Sequence, residues 1–223
     1  MNFAIETTTR IEDPANLIAS SILNQLKLGK KVLFFATGGS SIAVASRVAE
    51  IIKDESLPNL TVMMTDERYG EVGHNDSNWA QLIKKGFALS EAKLLPILDG
   101  NDIDTTTEEF KINLERELKN AEYKIASFGV GADGHTAGIL PGTIAVHSTD
   151  LACHYDTPAF FRITITPMVI ERLDQAVVWM QGENKWPVVE NLSQEIDIEK
   201  QPVQILKKIP LLTIFTDYKK NFS

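Results

Sequence analysis

The chain has 223 residues, 43% of them hydrophobic and 23% charged, with 13 Gly and 9 Pro. That composition excludes collagen-like, low-complexity and broadly disordered chains, and the length suffices to bury roughly 70% of the unfolded surface. Its 30 acidic residues outnumber 22 basic ones, and the formal charge of -8 has the wrong sign for a protein that grips nucleic acid by neutralising phosphates. A small anion remains compatible, because a few cations and backbone N–H groups in one pocket are enough to hold it.

Asp13-Pro14 predicts a helix N-cap and first-turn proline, followed by Leu17, Ile18, Ile22 and Leu26 on one face and a stop at Gly29. A strand over 32–35 then enters the turn Thr37-Gly38-Gly39-Ser40-Ser41, after which Ile42, Ala45, Val48, Ala49 and Ile52 have helical period. A strand over 60–64 leads into a polar loop from Asp66 to Asn78, in which Asp76-Ser77-Asn78 reads as a helix cap. A helix starting at Thr107 carries Phe110, Leu114 and Leu118. Strands over 123–128, 163–166, 176–180 and 211–215 follow, with helical stretches over 169–173 and 185–192. No linker or repeat divides the chain. The alternation predicts a single α/β domain over 1–223, with a mostly parallel, doubly wound Rossmann-like sheet flanked by helices and its sites at the carboxyl ends of the strands.

The turn at Thr37 to Ser41 joins a strand to a helix. Its glycines let backbone approach a ligand, and the helix N–H groups with the Ser40 and Ser41 hydroxyls form a candidate phosphate cradle; a plain tight turn is the alternative. It lacks the lysine of a nucleoside-triphosphate loop. Gly129-Val130-Gly131-Ala132-Asp133-Gly134 matches the dinucleotide pattern, but Pro141-Gly142 closes the segment too soon for the long helix that pattern needs, so no nicotinamide or flavin cofactor is expected. The loop instead presents His135, whose ordinary pKa of about 6.5 suits reversible proton transfer, with Asp133 as its candidate orienting partner. A structural histidine is the competing reading. Asp66-Glu67-Arg68 sets a cation among carboxylates, either for a ligand or as a surface ion pair. His74, His147 and His154 follow no zinc spacing, so no metal is assigned. The lone Cys153 reads as an ordinary thiol. The chain start shows no leader pattern and no window approaches the roughly 18 apolar residues of a membrane span, so a cytoplasmic protein without a membrane partner is expected.

At these blocks the sequence resembles the 6-phosphogluconolactonase family, within the wider group that includes glucosamine-6-phosphate deaminase. Thr37 to Ser41 is similar to the family's Ser-Gly-Gly-Ser-Thr-Pro loop, Asp66-Glu67-Arg68 and Asp76-Ser77-Asn78 to its D-E-R and D-S-N block, and Gly129 to Gly142 to its histidine block. Arg162-Ile163-Thr164-Ile165-Thr166 and Gly182-Glu183-Asn184-Lys185 resemble two further family segments. The resemblance implies hydrolysis of 6-phospho-D-glucono-1,5-lactone without metal or organic cofactor. It implies His135 as general base, with Asp133 and Arg68 assisting; Gly38 and Gly39 N–H groups at the oxyanion; and Ser40, Ser41, Asp66, Arg162 and Lys185 around the phosphorylated sugar. Leu140 stands where the deaminase branch carries a glutamate, which favours the lactonase over an amino-sugar-phosphate deaminase or isomerase. A non-catalytic sugar-phosphate sensor is the alternative of another class. The chain departs from the family at Thr37, Ile42, Gly70-Glu71, Gly138 and Asp156-Thr157-Pro158.

Overall fold

The computed structural model describes residues 3–219. In chain order the elements are β1 (Phe3–Thr7), α1 (Glu12–Lys27), β2 (Val32–Ala36), α2 (Ile42–Ile52), β3 (Leu60–Met64), β4 (Asp66–Arg68), α3 (Asn78–Lys84), β5 (Lys93–Leu95) and α4 (Ile103–Asn120). They continue with β6 (Tyr123–Gly129), β7 (Ala152–Asp156), β8 (Phe161–Ile165), α5 (Pro167–Ile170), β9 (Gln175–Met180), α6 (Trp186–Asn191) and β10 (Leu211–Thr216).

Every residue of β2 and of β9 is buried, as expected of central parallel strands covered on both faces, which read as unbroken apolar runs. They belong to a seven-stranded parallel sheet in the order β1-β10-β9-β6-β2-β3-β5. From β2 the chain winds outward through β3, and from β6 it winds the opposite way through β9. The crevice between the carboxyl ends of β2 and β6 is therefore the switch point where open α/β sheets hold ligands. Helix α1 buries Ala15, Ile18, Ala19 and Ile22, positions i, i+3, i+4 and i+7 of one face, and packs on α2 and across β2, β6 and β9. Each buried isoleucine contributes roughly 1.5–3 kcal/mol. Among the described residues, no helix is long and apolar enough to cross a membrane.

Three local expectations are corrected. First, β8 does not join the large sheet: with β4 and β7 it forms a separate antiparallel sheet in the order β4-β8-β7. Its start is half exposed, and it pairs with the charged β4 inside what the sequence presents as a loop. Second, Asp13 is not an N-cap. The helix begins at Glu12 without a side-chain cap, and the Asp13 carboxylate accepts from the Thr8 hydroxyl at 2.6 Å instead. Third, α4 begins at Ile103 rather than Thr107, because the Asp102 carboxylate caps the Thr105 N–H and starts the helix earlier. The cap at Ser77 is as read: its hydroxyl accepts from the Ala80 N–H.

Candidate active site

At the carboxyl end of β2 the chain passes through Thr37 and Gly38 into a tight turn over Gly39–Ser41 that runs straight into α2. The N–H groups of such a first turn have no partner within the helix and point outward together. Gly39 has a φ of +65°, the left-handed region that glycine adopts without penalty. Gly38 is constrained differently: a Cβ there would lie 2.2 Å from the Asn78 Oδ1.

At the carboxyl end of β6, Gly129 leads into a reverse loop tied by the bridges Val130–Thr136 and Thr136–Ile139. The Thr136 hydroxyl donates to the Gly129 carbonyl at 3.1 Å, closing the loop's neck. Asp133 Oδ1 accepts from the His135 backbone N–H at 3.1 Å and lies 2.6 Å from the His135 Nδ1. The bond to His135, outweighing burial, holds the Asp133 carboxyl below its ordinary range, so it is ionised and can only accept. Such a partner favours the tautomer in which Nδ1 carries the proton, with Nε2 left as the acceptor nitrogen. Gly131 is needed for this pairing, since a Cβ there would lie 2.2 Å from the His135 Nδ1.

The opposite wall comes from the small sheet. Arg68 and Arg162 stand directly across from each other in the β4–β8 ladder. Like charges in that position are destabilising unless an anion or a carboxylate lies between them. Asp66, on the same strand as Arg68, approaches the Arg162 guanidinium at 3.4 Å with both side chains largely buried. Arg68 donates to the Asp76 carbonyl at 3.0 Å and lies 5.3 Å from the centre of the Phe160 ring. The Nε atoms of both arginines are buried without a partner. Lys185 enters from the turn after β9, reached through Gly182 at φ +108°. Burial pushes its ammonium pKa down against the pull of Asp217.

These groups line one open cleft of about 200 Å³. The expected His135, Arg68, Gly38, Gly39, Ser40, Asp66, Arg162 and Lys185 all border it. Asp133 stands behind His135 rather than on the wall. Ser41 is a correction: it is fully buried, and its unpartnered Oγ faces Gly129, because the turn rotates its side chain toward the sheet. Asn78, read from sequence as part of a cap and of the D-S-N block but given no place in the site, is a wall residue. Gly138, one of the departures from the family, is tightly packed here: a Cβ there would lie 2.7 Å from the Thr164 Cβ. Cys153 lies outside this cleft, and burial pushes its thiol up to about 11.

An imidazole paired with a carboxylate, an N–H-rich turn and a cationic wall around one cleft are a combination suited to hydrolytic or isomerase chemistry on a small anionic substrate. The family model for glucosamine-6-phosphate isomerases/6-phosphogluconolactonase matches residues 6–213. A 6-phosphogluconolactonase of Borreliella burgdorferi is 28% identical over 171 residues, covering 72% of this chain and 73% of that protein. One from Chlamydia pneumoniae is 27% identical over 136 residues, covering 57% of this chain and only half of that protein's length. The crystal structure of 6-phosphogluconolactonase from Thermotoga maritima superposes with a TM-score of 0.77 at 16% identity, over 96% of this chain and 98% of that one, and so shares its fold. With five sequence blocks meeting in one cleft and the family model spanning nearly the whole chain, this protein belongs to the glucosamine-6-phosphate isomerase/6-phosphogluconolactonase family.

Proposed function

We propose that the chain hydrolyses 6-phospho-D-glucono-1,5-lactone to 6-phospho-D-gluconate. The observation that carries this reading is the His135–Asp133 pair at 2.6 Å, which frees Nε2 as a base on the wall facing Arg68, Arg162 and Lys185. In this reading His135 Nε2 takes a proton from water as the oxygen attacks the lactone carbonyl. The Gly38 and Gly39 N–H groups, with Arg68, stabilise the resulting oxyanion. Collapse breaks the bond to the ring oxygen, which receives the proton back from the imidazolium; Asp133 stabilises that cation while it lasts.

Ser40, Arg162 and Lys185 hold the phosphate, with Asp66 keeping Arg162 in place. Binding energy spent there, remote from the carbonyl, aligns the reacting carbon with the water and His135. The scheme uses no metal or organic cofactor. Leu140 packs against the hydrophobic core, and so offers no carboxylate for the relay that the deaminase branch uses.

The test is to add the protein to freshly generated 6-phosphogluconolactone and follow acid release above the spontaneous rate, with His135→Ala alongside. The expected result is fast hydrolysis that falls about 10²- to 10⁴-fold in kcat in the variant with little change in KM. Near wild-type turnover in the variant would remove His135 from the role of base. Ammonia released from glucosamine 6-phosphate would favour the deaminase, and tight binding of 6-phosphogluconate without turnover would favour a sensor.

A further inference from the structure

Glu67 has no place in the chemistry proposed above, yet it is completely buried and its carboxylate is saturated with donors. Oε1 accepts from the backbone N–H groups of Arg68 at 2.8 Å and Asn78 at 2.6 Å; Oε2 accepts from the Ser77 hydroxyl and the Trp79 N–H, both at 3.0 Å. One side chain thus clamps the short strand β4 to the start of α3. Burying a carboxylate is costly, and four donors offset much of that cost only if their geometry is kept.

What the clamp seats is Asn78. Its Nδ2 donates to the Asp66 carbonyl at 3.0 Å and to the Asp66 Oδ2 at 3.3 Å, the same oxygen that meets Arg162. Its carboxamide also lies so close under Gly38 that no Cβ fits between them. Asn78 therefore touches both the glycine turn on the large sheet and the Asp66–Arg162 pair on the small one. Its Oδ1 is buried without a protein partner, at the edge of the cleft.

We infer that Asn78, seated by Glu67, is a positioning residue that couples the anion-holding wall at Asp66–Arg162 to the Gly38 turn, so that binding of the substrate's phosphate sets the reacting carbonyl in place. This rests on the lactonase reading for its substrate, but not for its anion.

The experiment compares wild type, Asn78→Leu and Glu67→Gln. Leucine keeps the branched shape of asparagine without adding charge; Glu67→Gln perturbs the clamp without touching the cleft wall. Two quantities are measured: the ratio of kcat/KM for 6-phosphogluconolactone to that for unphosphorylated D-glucono-1,5-lactone, and the dissociation constant of inorganic phosphate by calorimetry. The expected result is a ratio lowered about tenfold or more in Asn78→Leu and less in Glu67→Gln, with weaker phosphate binding in both. The double variant should be no worse than Asn78→Leu alone, as for residues acting through one path. Equal losses on both lactones, or phosphate binding unchanged in the variants, would overturn the inference and leave these residues structural. Wild type that binds phosphate but hydrolyses neither lactone would sink the lactonase reading alone, and the phosphate measurements would then decide this one. A wild type that does not bind phosphate overturns it.

Discussion

Replacing Gly38 with alanine separates two reasons for a glycine. Its backbone, at φ -77° and ψ -170°, is one that alanine adopts freely, so the whole effect is steric. The new methyl would lie 2.2, 2.3 and 2.5 Å from the three terminal atoms of Asn78, a side chain only 1% exposed and bonded to Asp66. Asn78 must move. Overpacking of this kind costs about 1–3 kcal/mol, and stripping donors from the buried Asp66 carbonyl and carboxylate costs about the same again, for a sum of about 2–4 kcal/mol after partial relaxation. In a chain of this size that lowers Tm by roughly 5–15 °C. Gly39→Ala, with no atom within 4 Å of its Cβ but φ at +65°, should cost only the backbone penalty of about 1–2 kcal/mol. Thermal unfolding of both variants, and of Gly38→Ala combined with Asn78→Ala, is the assay. The double variant should be more stable than the two single losses added together, because the second substitution removes the atoms that clash. Gly38→Ala melting within about 2 °C of wild type, or strict additivity in the double variant, would refute the steric argument.

Asp133→Asn should lower kcat about 10²-fold or more with little change in Tm, since an amide no longer fixes the imidazole tautomer or stabilises its cation; unchanged kcat counts against the pairing. Asp99 provides an acid-range test. Burial raises its carboxyl, but hydrogen bonds from the Asn101 N–H and the Thr106 hydroxyl outweigh it and bring it down to about 2 from 3.8. A depressed carboxylate stabilises the fold above its unfolded pKa, and that contribution disappears as pH falls toward the folded value. The stability gap between wild type and Asp99→Asn in urea unfolding should therefore shrink as pH falls from about 4 to about 2, and a constant gap would contradict the assignment. Cys153, with its thiol pushed up to about 11 by burial, should label with maleimide far more slowly in the folded protein than after denaturation.

Much of this was legible in the sequence for one physical reason. Strands β2, β3, β6, β9 and β10 are dominated by buried apolar residues, so their signal is intrinsic to the chain. Strand β1 is an exposed edge, β5 has three residues, and β4 and β7 carry Asp66, Glu67, His154 and Asp156, whose places depend on partners distant in sequence. No local pattern announces such strands. The site divides the same way. His135 stood out because glycines surround it, and the Gly38–Gly39 turn because a helix follows. Asn78 was hidden because D-S-N is also good capping chemistry, and Ser77 does cap. Ser41 was misplaced because a hydroxyl in a turn carries no sign of which way it points.

Thr65 is the single residue between β3 and β4, and its two peptide groups belong to different sheets: its N–H donates to the Ala36 carbonyl at 2.8 Å and its C=O accepts from the Ile165 N–H at 2.9 Å. His135 and the glycine turn hang from the large sheet, while the two arginines hang from the small one. A ligand spanning the cleft is thus gripped by two frames joined at that seam. Because the two walls meet at Thr65, a change in its two hydrogen bonds would alter the spacing between His135 and the two arginines without changing a residue of either wall.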